Sequence, residues 1–295
     1  MTNPCQALGA AAARAALAGN PSDGYGGAVL AVSLDAWRAE AEVEADSGGG
    51  VEPSNALVQA TVDRFTRELN PEAADSAVRW TTTIPQRVGL GSSSALVIAV
   101  TRALAARHGI DLAPSELAEF ALAVETEELG IVAGLQDRVV QSYEGLMFME
   151  FGRPPRYERL DRGLLPPLVI AWREAAAGHS GDVHGSLRDR HRRGEEAVHG
   201  AMVGLAAAAR TARAALLEGD LDRFGQTLNA TFDLRRKLVE LDPLCVEMIE
   251  AARDCGASAN YTGSGGAIVA ACRGESQAVE VEQTLAQMGC GSVRA

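Results

Sequence analysis

A chain of 295 residues, 47% hydrophobic and 22% charged, can bury a sizeable core, is long enough for two ordinary domains and is not disordered by composition. Its net charge of −12 excludes a surface built for nucleic acid or anionic lipid, but not a local basic pocket for a small anion. Five cysteines (Cys5, Cys245, Cys255, Cys272, Cys290) without close pairing, no apolar run of membrane-spanning length and no signal-like N-terminus together predict a cytoplasmic protein with reduced thiols.

Ala10 to Ala18 is alanine-rich around a single Arg14. The turn formers Gly19-Asn20-Pro21-Ser22-Asp23-Gly24-Tyr25-Gly26-Gly27 follow, and Ala28 to Leu34 reads as a strand. Asp35 to Gly50 is acidic, ends in Ser47-Gly48-Gly49-Gly50 and is expected to be a surface connection. Glu52 to Leu69 has helical spacing of Leu57, Val58, Ala60, Val62 and Phe65. The β-branched run Trp80-Thr81-Thr82-Thr83-Ile84 then leads into P-Q-R-V-G-L-G-S-S-S-A (Pro85 to Ala95), and Leu96 to Leu104 reads as an apolar helix.

Strand, glycine-rich loop and helix start form a geometry that holds a phosphate. Gly89 and Gly91 let the backbone approach an anion closely, and Ser92, Ser93 and Ser94 place hydroxyls and unpaired N–H groups at a helix N-terminus. The loop lacks the Gly-Lys-Ser/Thr ending of a Walker loop, and the single lysine of the chain, Lys237, lies far from it. Nucleotide chemistry here therefore has to use serine, arginine and a metal ion. The plainer alternative is a Gly/Ser turn capping a core helix.

Pro114 to Leu129 is a second expected helix, with Ser115 as N-cap, ending in Glu125-Thr126-Glu127-Glu128. A charge run of that kind is ordinarily a solvated face. Asp137 differs, because it stands in the largely apolar stretch Ile131 to Tyr143, where a carboxylate needs a partner or a task. After the strand Leu146 to Phe151, the proline-containing sequence marks a boundary between expected domains 1–162 and 163–295. Val183 to Arg193 is the most basic patch, and by itself reads as a solvated helix face. Ala197 to Leu217 is a structural helix, and Leu221 to Val239 carries Arg235, Arg236 and Lys237. A second glycine-rich stretch, Cys255 to Gly266, enters the apolar strand Ala267 to Cys272, and Ala278 to Met288 is an amphipathic helix.

Three of these segments share one resemblance. P-x-x-x-G-L-G-S-S-S-A resembles the signature loop of the GHMP kinases, A-R-A-A-L-A-G-N-P-S-D-x-Y their first motif and T-G-S-G-G their third, with Asn260 where the family has lysine. N-P-S-D, E-L-G-I-V-A-G-L-Q-D-R-V, V-H-x-x-x-R-x-R, F-D-L-R-R and T-G-S-G-G look most like the glucuronokinases. The resemblance implies an α+β architecture in two domains, an N-terminal mixed α/β domain and a C-terminal ferredoxin-like one. It implies ATP and magnesium as cofactors. The ATP phosphates fall to Pro85, Gly89, Leu90, Gly91, Ser92, Ser93, Ser94 and Ala95, and the metal to Ser93 and a glutamate, with Glu127 favoured over Glu125.

The same resemblance sets Asp137 against the acceptor hydroxyl and Arg14 near the transferred phosphate. Asn20, Ser22, Asp23, Tyr25, Gly263, Ser264 and Gly265 fall at substrate positions. A uronate carboxylate needs a guanidinium, for which Arg188, Arg190, Arg235 and Arg236 are candidates. The reaction implied is phosphorylation of D-glucuronate at its anomeric hydroxyl. Two alternatives stay open: a GHMP kinase with another acceptor (a neutral sugar, an amino acid or a mevalonate-like alcohol), and a non-catalytic, ligand-sensing member.

Overall fold

The computed structural model describes residues 6–45, 49–176 and 187–295. The chain forms two compact units, Met1–Ala13 with Asp35–Ile84 and Gly91–Glu144, and Arg14–Leu34 with Pro85–Leu90 and Gly145–Ala295. These are interleaved along the chain, whereas the proline-containing sequence suggested a single boundary after residue 162. The reason is that the strands β1 (Gln6–Ala18) and β2 (Ala28–Ala45) each supply residues to both.

In the first unit, β4 (Ser76–Thr82) pairs antiparallel with residues 39–45 of β2 and parallel with β3 (Gly50–Glu52). The acidic stretch expected to be a surface connection is thus strand as far as Ala45. Ala39, Ala41 and Val43 are buried and alternate with the exposed or half-buried Arg38, Glu40 and Glu42, so the period is two and the charges occupy the solvent face. Ser47 and Gly48 lie outside the described residues.

Four helices complete this unit: α1 (Ala56–Glu68), α2 (Ser92–His108), α3 (Pro114–Ala123) and α4 (Gln136–Tyr143). Asn55 caps α1, its Oδ1 accepting from the N–H groups of Leu57 and Val58. β1 runs so close to α2 that a Cβ on Gly9 would stand 2.1 Å from the Ala99 carbonyl oxygen. The expected helix 114–129 is shorter than its pattern: α3 ends at Ala123 and the chain passes into a π turn, Val124–Glu128. Its N-cap is Ala113 and not Ser115, with Glu116 Oε2 accepting the Ala113 N–H at 2.8 Å and Pro114 in the first turn.

In the second unit, residues 28–32 of β2 pair with β5 (Leu146–Glu150), which pairs with β6 (Arg156–Leu160). A separate antiparallel sheet contains β7 (Leu168–Trp172), β8 (Ser258–Tyr261), β9 (Ala267–Ala271) and β10 (Gly291–Arg294) in the order β10-β7-β9-β8. The helices α5 (Glu196–Glu218), α6 (Leu221–Leu238) and α7 (Pro243–Asp254) fall between β7 and β8, and α8 (Glu275–Gln287) between β9 and β10. That order and connectivity are those of the ferredoxin-like arrangement. Val169, Tyr261, Ile268, Phe232, Met248 and Val281 from both layers share one buried cluster, which seats α6 and α7 against the strands. The four described cysteines are free thiols, Cys5 lies outside the described residues, and no described helix is long and apolar enough to cross a membrane.

Candidate active site

Within the second unit, loop Pro85–Leu90 packs against Thr262–Gly266. Thr262 Oγ1 donates to the Gly89 carbonyl at 2.9 Å. A Cβ on Gly263 would lie 2.4 Å from that same carbonyl oxygen, and one on Gly89 2.9 Å from the Ser264 nitrogen and the Gly265 oxygen. Gly89 also holds φ +74°, so glycine is required there both for space and for backbone conformation.

Arg14 joins these two loops. It is 4% exposed, and its Nη1 donates to the carbonyls of Gly89 at 2.7 Å and Thr262 at 2.9 Å. Its own N–H donates to the Leu90 carbonyl at 3.0 Å. Arg235 reaches the same place from α6, with Nη2 donating to the Gly263 carbonyl at 2.8 Å and its guanidinium 5.3 Å above the Tyr261 ring. It is buried, and its Nη1 has no hydrogen-bond partner among the described residues. Burial is the main reason its pKa is pulled down to about 10, and the like charge of Arg14 adds to it. Arg236 is the other candidate on α6. It projects to solvent, 56% exposed, and pairs with Glu250 at 3.2 Å. Adjacent helical residues point about 100° apart, so α6 can bury only one of the two.

The turn residues divide likewise. Ser22 is fully buried and its Oγ donates to the Ala28 carbonyl at 2.9 Å, so its hydroxyl holds the turn and is not offered to a substrate. Asn20 is buried too, but its Oδ1 has no partner among the described residues. The Tyr25 ring lies 4.5 Å from His191, which stacks on His199 at 3.8 Å. Burial raises the Tyr25 pKa, Arg188 opposes that rise and Asp23 adds to it, so these three residues share one neighbourhood. Arg190 is taken up by Glu195 and the Leu238 carbonyl. Val183 and His184 of the V-H-x-x-x-R-x-R segment lie outside the described residues.

In the first unit, Gly91 is the left-handed N-cap of α2 (φ 72°, ψ 33°). Ser93 is exposed and Ser92 half-buried, whereas Ser94 and Ala95, like Leu90 before them, belong to the core. Of the three hydroxyls, Ser93 alone faces outward with a carboxylate beside it, donating to Glu125 Oε1 at 2.8 Å. Glu125 is 1% exposed and its other oxygen is ion-paired with the buried Arg138. Glu127 does not take part: its side chain is 64% exposed and its Oε2 accepts from Arg64 at 2.8 Å. A π turn holds one more residue than an α turn, so faces read from regular helical spacing no longer apply across Val124–Glu128.

Asp137 occupies the first turn of α4, 18% exposed, with Oδ2 3.7 Å from Arg138 Nη1. Arg138 also donates to the Gly134 carbonyl at 2.7 Å. Sequence reasoning missed Arg138 and Thr262. A basic residue within an apolar stretch, next to Asp137 and 13 positions from a buried glutamate, was the available signal for the first. The Ser93 hydroxyl and Glu125 carboxylate are hard oxygen donors of the kind magnesium prefers. No group of three or more His, Cys, Asp or Glu suited to a metal occurs among the described residues, so an ion held here needs phosphate or water oxygens to complete its shell.

Comparison with known proteins gives the family. The family model described as GHMP kinases N terminal domain matches residues 56–145, and that described as GHMP kinases C terminal matches residues 212–289. The chain is 31% identical to glucuronokinase 1 of Arabidopsis thaliana over 94% of its own length and 88% of that protein's. It is 30% identical to mevalonate kinase of Methanothermobacter thermautotrophicus over 70% of this chain and 68% of that one. The solved Streptococcus pneumoniae phosphomevalonate kinase in complex with phosphomevalonate and AMPPNP shares the fold, with a TM-score of 0.82 at 15% identity over 98% of this chain and 99% of that one.

Proposed function

Because this chain belongs to the GHMP kinase family, whose members transfer phosphoryl groups to hydroxyls, we propose that it uses ATP to phosphorylate D-glucuronate or a related uronate at the anomeric hydroxyl. The observation that carries the acceptor class is Arg235. A buried guanidinium that among the described residues has one nitrogen unpartnered and no carboxylate beside it is costly to keep, and a substrate carboxylate would complete it. The orphaned acceptor Asn20 Oδ1 suits a sugar hydroxyl.

On this reading the backbone N–H groups of residues 89–94 and the N-terminus of α2 hold the nucleotide phosphates. Magnesium at Ser93 and Glu125 would neutralise phosphate charge. Asp137 orients the acceptor hydroxyl and takes its proton as the sugar oxygen bonds to the γ-phosphorus and the bond to ADP breaks. Arg14 supplies fixed positive charge where Gly89 and Thr262 converge. Glu125→Gln is expected to raise the magnesium concentration for half-maximal rate about tenfold or more, whereas Glu127→Gln stays within about twofold. Rate measured against magnesium concentration separates the two glutamates.

Magnesium-dependent ADP release against D-glucuronate, D-galacturonate, neutral hexoses, homoserine and mevalonate tests the acceptor. Turnover confined to the uronates is expected. Turnover on another member of the panel would keep the kinase and remove the uronate assignment. ATP binding without any turnover would favour a sensor.

A further inference from the structure

Gln141 is fully buried on α4, one helical turn beyond Asp137, and each polar atom of its amide is engaged. Oε1 accepts from Ser94 Oγ at 2.6 Å, and Nε2 donates to the carbonyls of Ala12 at 2.8 Å and Gly91 at 2.9 Å. The two carbonyls demand the NH2 end, so the amide has a single orientation. The Gly91 carbonyl also accepts the Ala95 N–H at 3.0 Å, with Ser94 Oγ 3.2 Å away.

Gly91, a left-handed glycine free to flip its peptide plane, is thus held by two donors, the Gln141 amide and the Ala95 N–H, while the single Ser94 hydroxyl proton goes to Gln141 Oε1 at the shorter distance. A peptide unit is planar and trans, so pinning the Gly91 C=O toward Gln141 turns the Ser92 N–H the opposite way. Ser92 is the first residue of α2, so that N–H has no intrahelical partner. We propose that Gln141 is a positioning residue: it never touches the nucleotide, but fixes the Gly91–Ser92 peptide with its N–H toward the β- and γ-phosphates. This rests on the nucleotide reading of the loop. Preorganisation of this kind lowers the cost of ordering the loop when the anion binds.

The test compares dissociation constants for ATP and AMP by calorimetry, with thermal melts, in the full chain and in Gln141→Leu. The variant should weaken ATP about tenfold or more while AMP, which lacks the β- and γ-phosphates, changes less than about twofold. A purely structural role would instead weaken both nucleotides together with a lower melting temperature, and that result overturns the proposal, as does no change in either. If Gln141→Leu does not fold, Ser94→Ala, which removes the donor to Oε1, should shift ATP and not AMP in the same direction. Its equal effect on both nucleotides would likewise count against the assignment. Wild-type protein that binds no ATP would instead remove the nucleotide reading, and the role of Gln141 with it.

Discussion

Replacing Asp137 by asparagine is expected to lower kcat by about 10²- to 10⁴-fold while leaving ATP affinity within about twofold. Asparagine keeps the shape and one acceptor oxygen but takes up no proton. The substitution is mild for the fold. A carboxylate in the first turn of α4, 18% exposed, contributes about 0.3–1 kcal/mol through the helix dipole, and asparagine keeps an acceptor oxygen 3.7 Å from Arg138. Single-turnover rates together with calorimetric ATP binding separate chemistry from binding. A loss of less than tenfold would mean that the acceptor is activated by positioning and charge alone, and Asp137 would no longer be the base.

Arg235→Met should act in two opposed directions. Uronate kcat/KM is expected to fall about a hundredfold, the scale of removing one partner from a desolvated charge pair, while any slow turnover of a neutral hexose is unchanged. Stability should hold or rise. A pKa pulled down to about 10 means that the folded state disfavours the charged guanidinium, by roughly 3 kcal/mol on the scale of 1.36 kcal/mol per pKa unit. Because the folded-state value is below the unfolded one, this penalty is fully present at neutral pH. It is relieved only as pH rises through about 10 toward the ordinary arginine value. Methionine fills comparable space without the charge, losing the bond to the Gly263 carbonyl and the cation–π contact with the Tyr261 ring. Glucuronate should accordingly raise the melting temperature of the wild type more than that of the variant. A variant that melts several degrees lower yet still prefers uronates would make Arg235 a strut for the Gly263 loop and nothing more.

The parts of this molecule that could be read from its residues are those fixed by neighbours in the chain. Gly89, Gly91 and the serines after them announce a strand–loop–helix because the requirement is local, and α1, α5 and α8 follow from composition and spacing. Choices made by distant packing were not readable. Whether Arg235 or Arg236 turned inward depended on the face α6 lays against Tyr261 and Gly263. Glu125 and not Glu127 stands beside Ser93 because a π turn interrupts the helix. Ser22 looked like a substrate contact until Ala28 was seen to take its hydroxyl. The second half of β2 was hidden by its own charges, which occupy alternate positions on the solvent side of a pleated strand. Gln141 gave no sign, since its partners lie 47 to 129 positions away in the chain.

The eight residues of α4 hold Asp137, Arg138 and Gln141. On the roles proposed for them, a helix little more than two turns long carries the acceptor base, the counter-ion of Glu125 and the clamp on Gly91. Changes within it should combine non-additively, because a tilt that favours one neighbour disturbs the other two. Such a segment drifts slowly and as a block. Arg235 sits on a different helix, so, on the role proposed for it, one codon there would alter which acceptor is preferred while the residues of α4 are inherited intact.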